Sequence, residues 1–218
     1  DKITATLSNI TENKTVTVTF FENTINGGPG GWEKLKKAVR EAPPDGTIII
    51  DGTISATNAP DNNGEIVIDK NLTVKKADSV IPAVLDANKE EGGKPKHRIF
   101  KVISGKQLTL ENLMLKGGMA TGTSESDGGG AIYAQSATVK ITGCNLTDNE
   151  ASANGGAIYA QSATVKITGC GLTNNKAELN GGAVYATKEN DAAAAEVTIS
   201  HSEIKRNTVN ITSGFGGG

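Results

Sequence analysis

The sequence predicts an all-β chain, folded as a right-handed parallel β-helix: a single-stranded solenoid of about six coils behind an N-terminal capping helix. Three observations carry that reading. The sixteen residues Gly129 to Cys144, GGAIYAQSATVKITGC, recur unchanged at Gly155 to Cys170, 26 residues on, and GGAVYA opens a third unit at Gly181. Within each unit the apolar residues alternate in short runs, the mark of half-buried strands. Composition agrees, with 27 glycines, 4% aromatic residues and recurrent Thr, Val, Ile and Asn, as short strands and tight turns require.

Taken in order, residues 1–45 form an N-terminal strand and capping helix, and residues 46–218 form the β-helix, with its GGA(I/V)YA repeats at 129–218. VTVTF, Val16 to Phe20, alternates as a strand that pairs with the open end of the stack or belongs to a coil of its own. Trp32, Leu35, Ala38 and Val39 follow helical spacing between a glycine-rich turn and Pro43-Pro44, and a helix there would cover the apolar end. Two less regular coils follow in GTIIIDGTI from Gly46 and GEIVIDKNLTVKK from Gly64.

Four later coils share one register. Leu108, Val139, Val165 and Val197 form a column, and Leu110, Ile141, Ile167 and Ile199 the next. Leu113, Cys144, Cys170 and Ser202 form a third, and Leu115, Leu146, Leu172 and Ile204 a fourth. With bends at Gln135-Ser136 and Gly143, each unit reads as a three-stranded, triangular turn. Asn149, Asn175 and Asn207 recur as a stacked asparagine turn in which the asparagine takes the left-handed backbone. The Gly-Gly pairs at Gly129, Gly155 and Gly181 supply positive dihedrals or close approach; a strand follows them, so they are not a phosphate loop. Polar insertions at Ala87–Lys96, Thr121–Asp127 and Lys188–Ala194 read as surface loops.

A net charge of -2 leaves no basic face for a phosphate backbone, so nucleic acid is not an expected partner. No apolar run is long enough to span a membrane. The opening DKITATLSNI lacks a signal-peptide pattern and the closing SGFGGG repeats the glycines of a new unit, so the expectation is a fragment with any anchor outside it. Cys144 and Cys170 share one repeat position and read as packed thiols; a strained disulfide between coils is the lesser alternative. His97 and His201 read as surface residues, and with no metal-ligand spacing around them neither a metal nor another cofactor is expected. The Asn-x-Ser/Thr sequons at Asn9, Asn13, Asn71, Asn145 and Asn210 need no more than the composition to explain them.

β-Helices also host polysaccharide lyases and hydrolases, which need carboxylates gathered from adjacent coils. In the clear repeats no acid recurs on neighbouring coils, and no catalytic residue is assigned. Asp51, Glu65, Asp69 and Asp86, in the irregular coils, are the acids that such a cleft would use; as solvated turn residues they need no function. The candidate binding feature is aromatic. All three tyrosines, Tyr133, Tyr159 and Tyr185, occupy one repeat position and are expected to form an exposed ladder, which either binds sugar rings or protein partners or simply stabilises the coils.

GGAIYA at Gly155–Ala160, with LTDN at Leu146–Asn149 and LTNN at Leu172–Asn175, resembles the GGA[IV] and FxxN repeats of polymorphic outer membrane proteins. Leucine replaces the usual phenylalanine before xxN and keeps an inward apolar residue. The first half is similar to the lead-in of related β-helix surface proteins of host-associated bacteria. The resemblance implies an extracellular, outer-membrane-associated passenger or adhesin-like protein, non-catalytic, whose partner is a host surface protein or glycan. Two other readings stay open, a polysaccharide lyase or hydrolase and a passive stalk.

Overall fold

The structure is a computed structural model that describes residues 23–87, 97–122, 127–190 and 192–210. The expected strand Val16–Phe20, the tail SGFGGG and parts of the three insertions lie outside them.

A short strand β1 (Thr24–Asn26) leads into helix α1 (Gly31–Glu41). The first coil comprises β2 (Gly46–Asp51), β3 (Thr53–Ser55) and β4 (Ile66–Ile68), and the second β5 (Leu72–Lys76), β6 (Val84–Asp86) and β7 (Phe100–Val102). The third has four strands, β8 (Gln107–Glu111), β9 (Met114–Lys116), β10 (Met119–Ala120) and β11 (Ile132–Gln135). The fourth repeats them as β12 (Thr138–Thr142), β13 (Asn145–Thr147), β14 (Glu150–Ala151) and β15 (Ile158–Gln161). The fifth runs β16 (Thr164–Thr168), β17 (Gly171–Thr173), β18 (Lys176–Ala177) and β19 (Val184–Thr187), and the sixth β20 (Glu196–Ser200), β21 (Glu203–Lys205) and β22 (Thr208–Val209).

Every coil hydrogen-bonds to the next through parallel ladders, giving sheets of seven, six, five and four strands. The expected columns hold, Leu108 opposite Val139 and Val139 opposite Val165, and the irregular coils join them with Ile48 opposite Val74 and Val74 opposite Leu110. The parallel β-helix is therefore as the sequence implied, with two additions. The later coils are four-walled, because β10, β14, β18 and β22 form a fourth face. Strands of two residues, with only a small inward alanine such as Ala151, carry no alternation to read. Strand β1, too short to show a pattern in the sequence, adds to the edge of β2.

Helix α1 buries the four residues expected, Trp32, Leu35, Ala38 and Val39, in one core with Ile54, Ile66 and Ile68. At about 1.5 to 3 kcal/mol for each large apolar side chain removed from water, this end cap is a major stabilising element. The Trp32 indole donates to the Gly64 carbonyl at 2.8 Å, which fixes the helix across the first coil.

Side chains close the corners between sheets. Asn149 and Asn175 are fully buried, and the left-handed residue is the one before each, Asp148 (φ 55°) and Asn174 (φ 56°). The asparagine is thereby turned inward instead of occupying the turn itself. Its amide oxygen accepts the backbone N–H of the preceding coil: Gly118 to Asn149 at 2.9 Å, Asn149 to Asn175 at 3.1 Å, Asn175 to Asn207 at 2.9 Å. A second ladder does the same with sulfur and hydroxyl, Leu113 N–H to Cys144 Sγ and Cys144 N–H to Cys170 Sγ at 3.4 Å each, then Cys170 N–H to Ser202 Oγ at 3.0 Å. In each glycine pair neither residue has room for a side chain, a Cβ at Gly155 meeting the Ile158 oxygen at 2.2 Å. The first has positive φ besides (Gly155, 68°), and at the second a Cβ would strike the next coil, at Gly156 the Gly182 oxygen at 2.2 Å.

Candidate functional site

The outward column of the five-stranded sheet runs Val67, Lys101, Tyr133, Tyr159, Tyr185. The tyrosines stack as expected, with centroids 5.5 Å and 5.6 Å apart. They are not exposed. Tyr133 is 3% and Tyr159 0% accessible, and only Tyr185 is partly open. Alternation along a strand tells which side chains leave the core, and it does not tell what lies outside them. Here Arg98 places its guanidinium 4.9 Å from the centre of the Tyr133 ring, and the chain at Gly128 lies so close that a Cβ there would meet Tyr159 Cδ2 at 2.5 Å. The Tyr133 hydroxyl donates to Gln161 Oε1 at 2.6 Å. The ladder is thus an outer layer of packing, and its expected exposure is corrected.

Arg98, which no sequence pattern singled out, is buried, with Glu65 Oε2 3.6 Å from its Nε. Beside it His97 is packed on Trp32, ring centres 5.3 Å apart, with Nδ1 2.8 Å from the Arg98 carbonyl. His97 is therefore half-buried at the junction between cap and coils, whereas His201 is exposed in a turn with φ 51°. Burial, reinforced by the Lys36 charge, holds the His97 pKa below its ordinary 6.5. The neutral ring is then the folded form, so its contribution is present above pH 6.5 and is lost as pH falls through the lowered value. Urea midpoints are expected to decline on acidification below neutrality, and His97→Gln should flatten that decline.

Of the four acids that a catalytic cleft would recruit, Glu65 and Asp69 line one groove beside α1, and Asp51 and Asp86 lie on other sheets. Glu65 faces Arg98, Asp69 lies 3.7 Å from Lys70, Asp86 lies 3.2 Å from Lys116, and Asp51 accepts the Ser79 hydroxyl at 2.8 Å. They sit at the ends of strands on three different sheets, each with its own partner. Among the described residues no three His, Cys, Asp or Glu side chains gather as a metal site would require. Cys144 and Cys170 are free and buried. Burial pushes the Cys144 thiol up to about 12 from 9.0, so between these values the unfolded thiol ionises while the folded one does not, and stability declines as pH rises. Both thiols should resist a disulfide-exchange reagent at mildly alkaline pH and react only on unfolding.

Four grooves stand out among the described residues. One of about 390 Å³ runs between β1 and α1, and one of about 290 Å³ lies between α1 and β4, where Lys36 and Arg40 face Glu65 and Asp69. Two more, of about 630 and 280 Å³, flank the segment between β5 and β6. No helix among the described residues is long and apolar enough to cross a membrane.

Residues 143–161 and 172–187 match the Chlamydia polymorphic membrane protein (Chlamydia_PMP) repeat, which is the repeat of a bacterial surface-protein family. No curated protein and no solved structure matches the chain. The matched segments are equivalent stretches of successive coils, each taking in the buried asparagine, the glycine pair and the tyrosine strand. This chain carries the Chlamydia polymorphic membrane protein repeat, built into the coils of a parallel β-helix.

Proposed function

We propose that this protein is an adhesin-like, non-catalytic binding protein displayed on a bacterial cell surface, associated with the outer membrane and binding a host surface protein or glycan. The observation that carries the reading is the match to a surface-protein repeat whose buried asparagines, Asn149 and Asn175, are spent on holding coils together, as is the cysteine–serine column beside them. Scaffold residues committed in this way leave binding to the irregular coils and inserted loops. A non-catalytic role is supported by the separate partners that engage Asp51, Glu65, Asp69 and Asp86, and by the position of Asp51 and Asp86 on sheets away from the groove that Glu65 and Asp69 share.

The test applies the purified protein to an array of polysaccharides and host matrix proteins and records both retention and release of sugar ends. Retention without turnover is the expected result. Release of sugar ends would overturn the reading in favour of a lyase or hydrolase, and absence of retention on every surface would leave a stalk.

A further inference from the structure

The corner between the seven- and six-stranded sheets is turned in five coils by one left-handed residue, Gly52, Asn112, Gly143, Gly169 or His201. In the second coil six residues, Ala77–Pro82, stand in its place between β5 and Ala83. Coil geometry does not require them. The insertion is nonetheless built: Lys76 Nζ donates to the carbonyls of Ala77 and Ser79, the Ser79 hydroxyl donates to Asp51 at 2.8 Å, and Ala77 N–H bonds back to Ile50 at 2.8 Å. What this fixed frame presents is apolar. Val80 is 99% exposed, Ile81 51%, and Pro82 is exposed beside them. Ile81 Cγ2 rests where Gly52 has no side chain.

Beside the tip, Val80, Pro82 and Met114 line the apolar part of the 280 Å³ groove, and Asn112, Asn145 and Lys76, whose Nζ is held by the loop carbonyls, its polar part. The side-chain amides of these two asparagines are exposed and bond to no described residue, unlike the asparagines of the buried ladder. Each offers a donor and an acceptor together, the complement of a peptide group. The groove holds no aromatic ring on which a sugar would stack. On the loop's other flank Asp78 and Glu111 offset Lys75 and Lys76, so no net positive field would hold the tip to an anionic bilayer.

We propose that the Ala77–Pro82 loop and this groove are a docking surface for an extended peptide segment of a protein partner. An apolar side chain of the partner packs among Val80, Pro82 and Met114, and its backbone amides bond to Asn112 and Asn145. The inference rests on the surface-binding reading and names the place and chemistry of that binding.

The test pans a phage-displayed library of random peptides on the folded protein, with the Val80→Asp/Ile81→Asp double variant as counter-target. Both side chains are at the surface, and circular dichroism and the urea midpoint establish that the variant is folded. Enriched peptides should share an apolar position, lose about tenfold or more in affinity for the double variant and several-fold for Asn145→Ala, and bind Ile204→Asp unchanged. Failure to enrich, or equal binding to the double variant, overturns the proposal. So does sedimentation with phosphatidylcholine–phosphatidylserine vesicles that the double variant abolishes, which would make the loop a lipid contact. If the double variant is retained undiminished on the matrix and glycan array, this inference falls and the surface-binding reading stands. If wild type is not retained there, that reading falls, and peptide panning still decides the docking surface.

Discussion

Asn175→Ala is expected to cost about 3 to 5 kcal/mol of unfolding free energy, because it leaves two donors unsatisfied where water cannot reach. Asn175 Oδ1 accepts both the backbone N–H of Asn149 (3.1 Å) and its Nδ2 (3.0 Å), while Asn175 Nδ2 donates to the Leu146 carbonyl (3.0 Å) and to Asn207 Oδ1 (2.9 Å). Alanine removes all of these. Asn175→Asp should be at least as damaging, since a carboxylate has no N–H for the Leu146 carbonyl and its charge would be buried. Asn180→Ala is the control. Its amide bonds to Asn154 at 2.9 Å at the edge of the structure, where water can replace the bond, and a loss below about 1 kcal/mol is expected. Urea titrations with unchanged slope measure all three.

Gly156→Ala is the second large effect, again with a matched control. The φ of Gly156 is not in the left-handed region, so its cost is collision alone: the new methyl would lie 2.2 Å from the Gly182 oxygen and 2.6 Å from both Lys176 N and O. All are backbone atoms that no rotamer change can move aside. The fifth coil must lift from the fourth and stretch the bonds Gly156 N–H to Gly181 and Lys176 N–H to Asn149. A loss at or above about 3 kcal/mol is expected, the upper end for overpacking. At Gly169 the situation is reversed, with φ +65° and nothing within 4 Å of the place a methyl group would take, so Gly169→Ala should cost only the left-handed strain of about 1 to 2 kcal/mol.

Much of the scaffold was legible because repetition amplifies it. One alternating strand is ambiguous, whereas Val139 and Val165 in identical sixteen-residue copies must share a column. The capping helix was legible for another reason, since helical spacing of Trp32, Leu35, Ala38 and Val39 interrupts a chain of period-two segments. The candidate sites were less so. Exposure of Tyr133 and Tyr159 depends on Arg98 and on chain near Gly128, neither of which belongs to the repeat, so no pattern within the repeat could report their burial. The partial burial of His97 was hidden for the same reason, its surroundings being supplied by a helix far away in sequence. The Ala77–Pro82 loop did leave a signal. Aligning its corner with Asn112 and Gly143 shows the surplus residues, and Val80, Ile81 and Pro82 among them are not what a solvated turn would use.

Both corner ladders run one way: a coil's N–H groups are met by side chains of the coil that comes after it. In a chain made from its N-terminus, the front of the growing stack therefore always holds one incomplete coil, whose corner donors are in water until its successor arrives. Assembly has a direction written into it. Each new coil finishes the one before and opens the same vacancy again, so a defect such as Asn175→Ala would be felt first by the coil already laid down, one step behind the substitution.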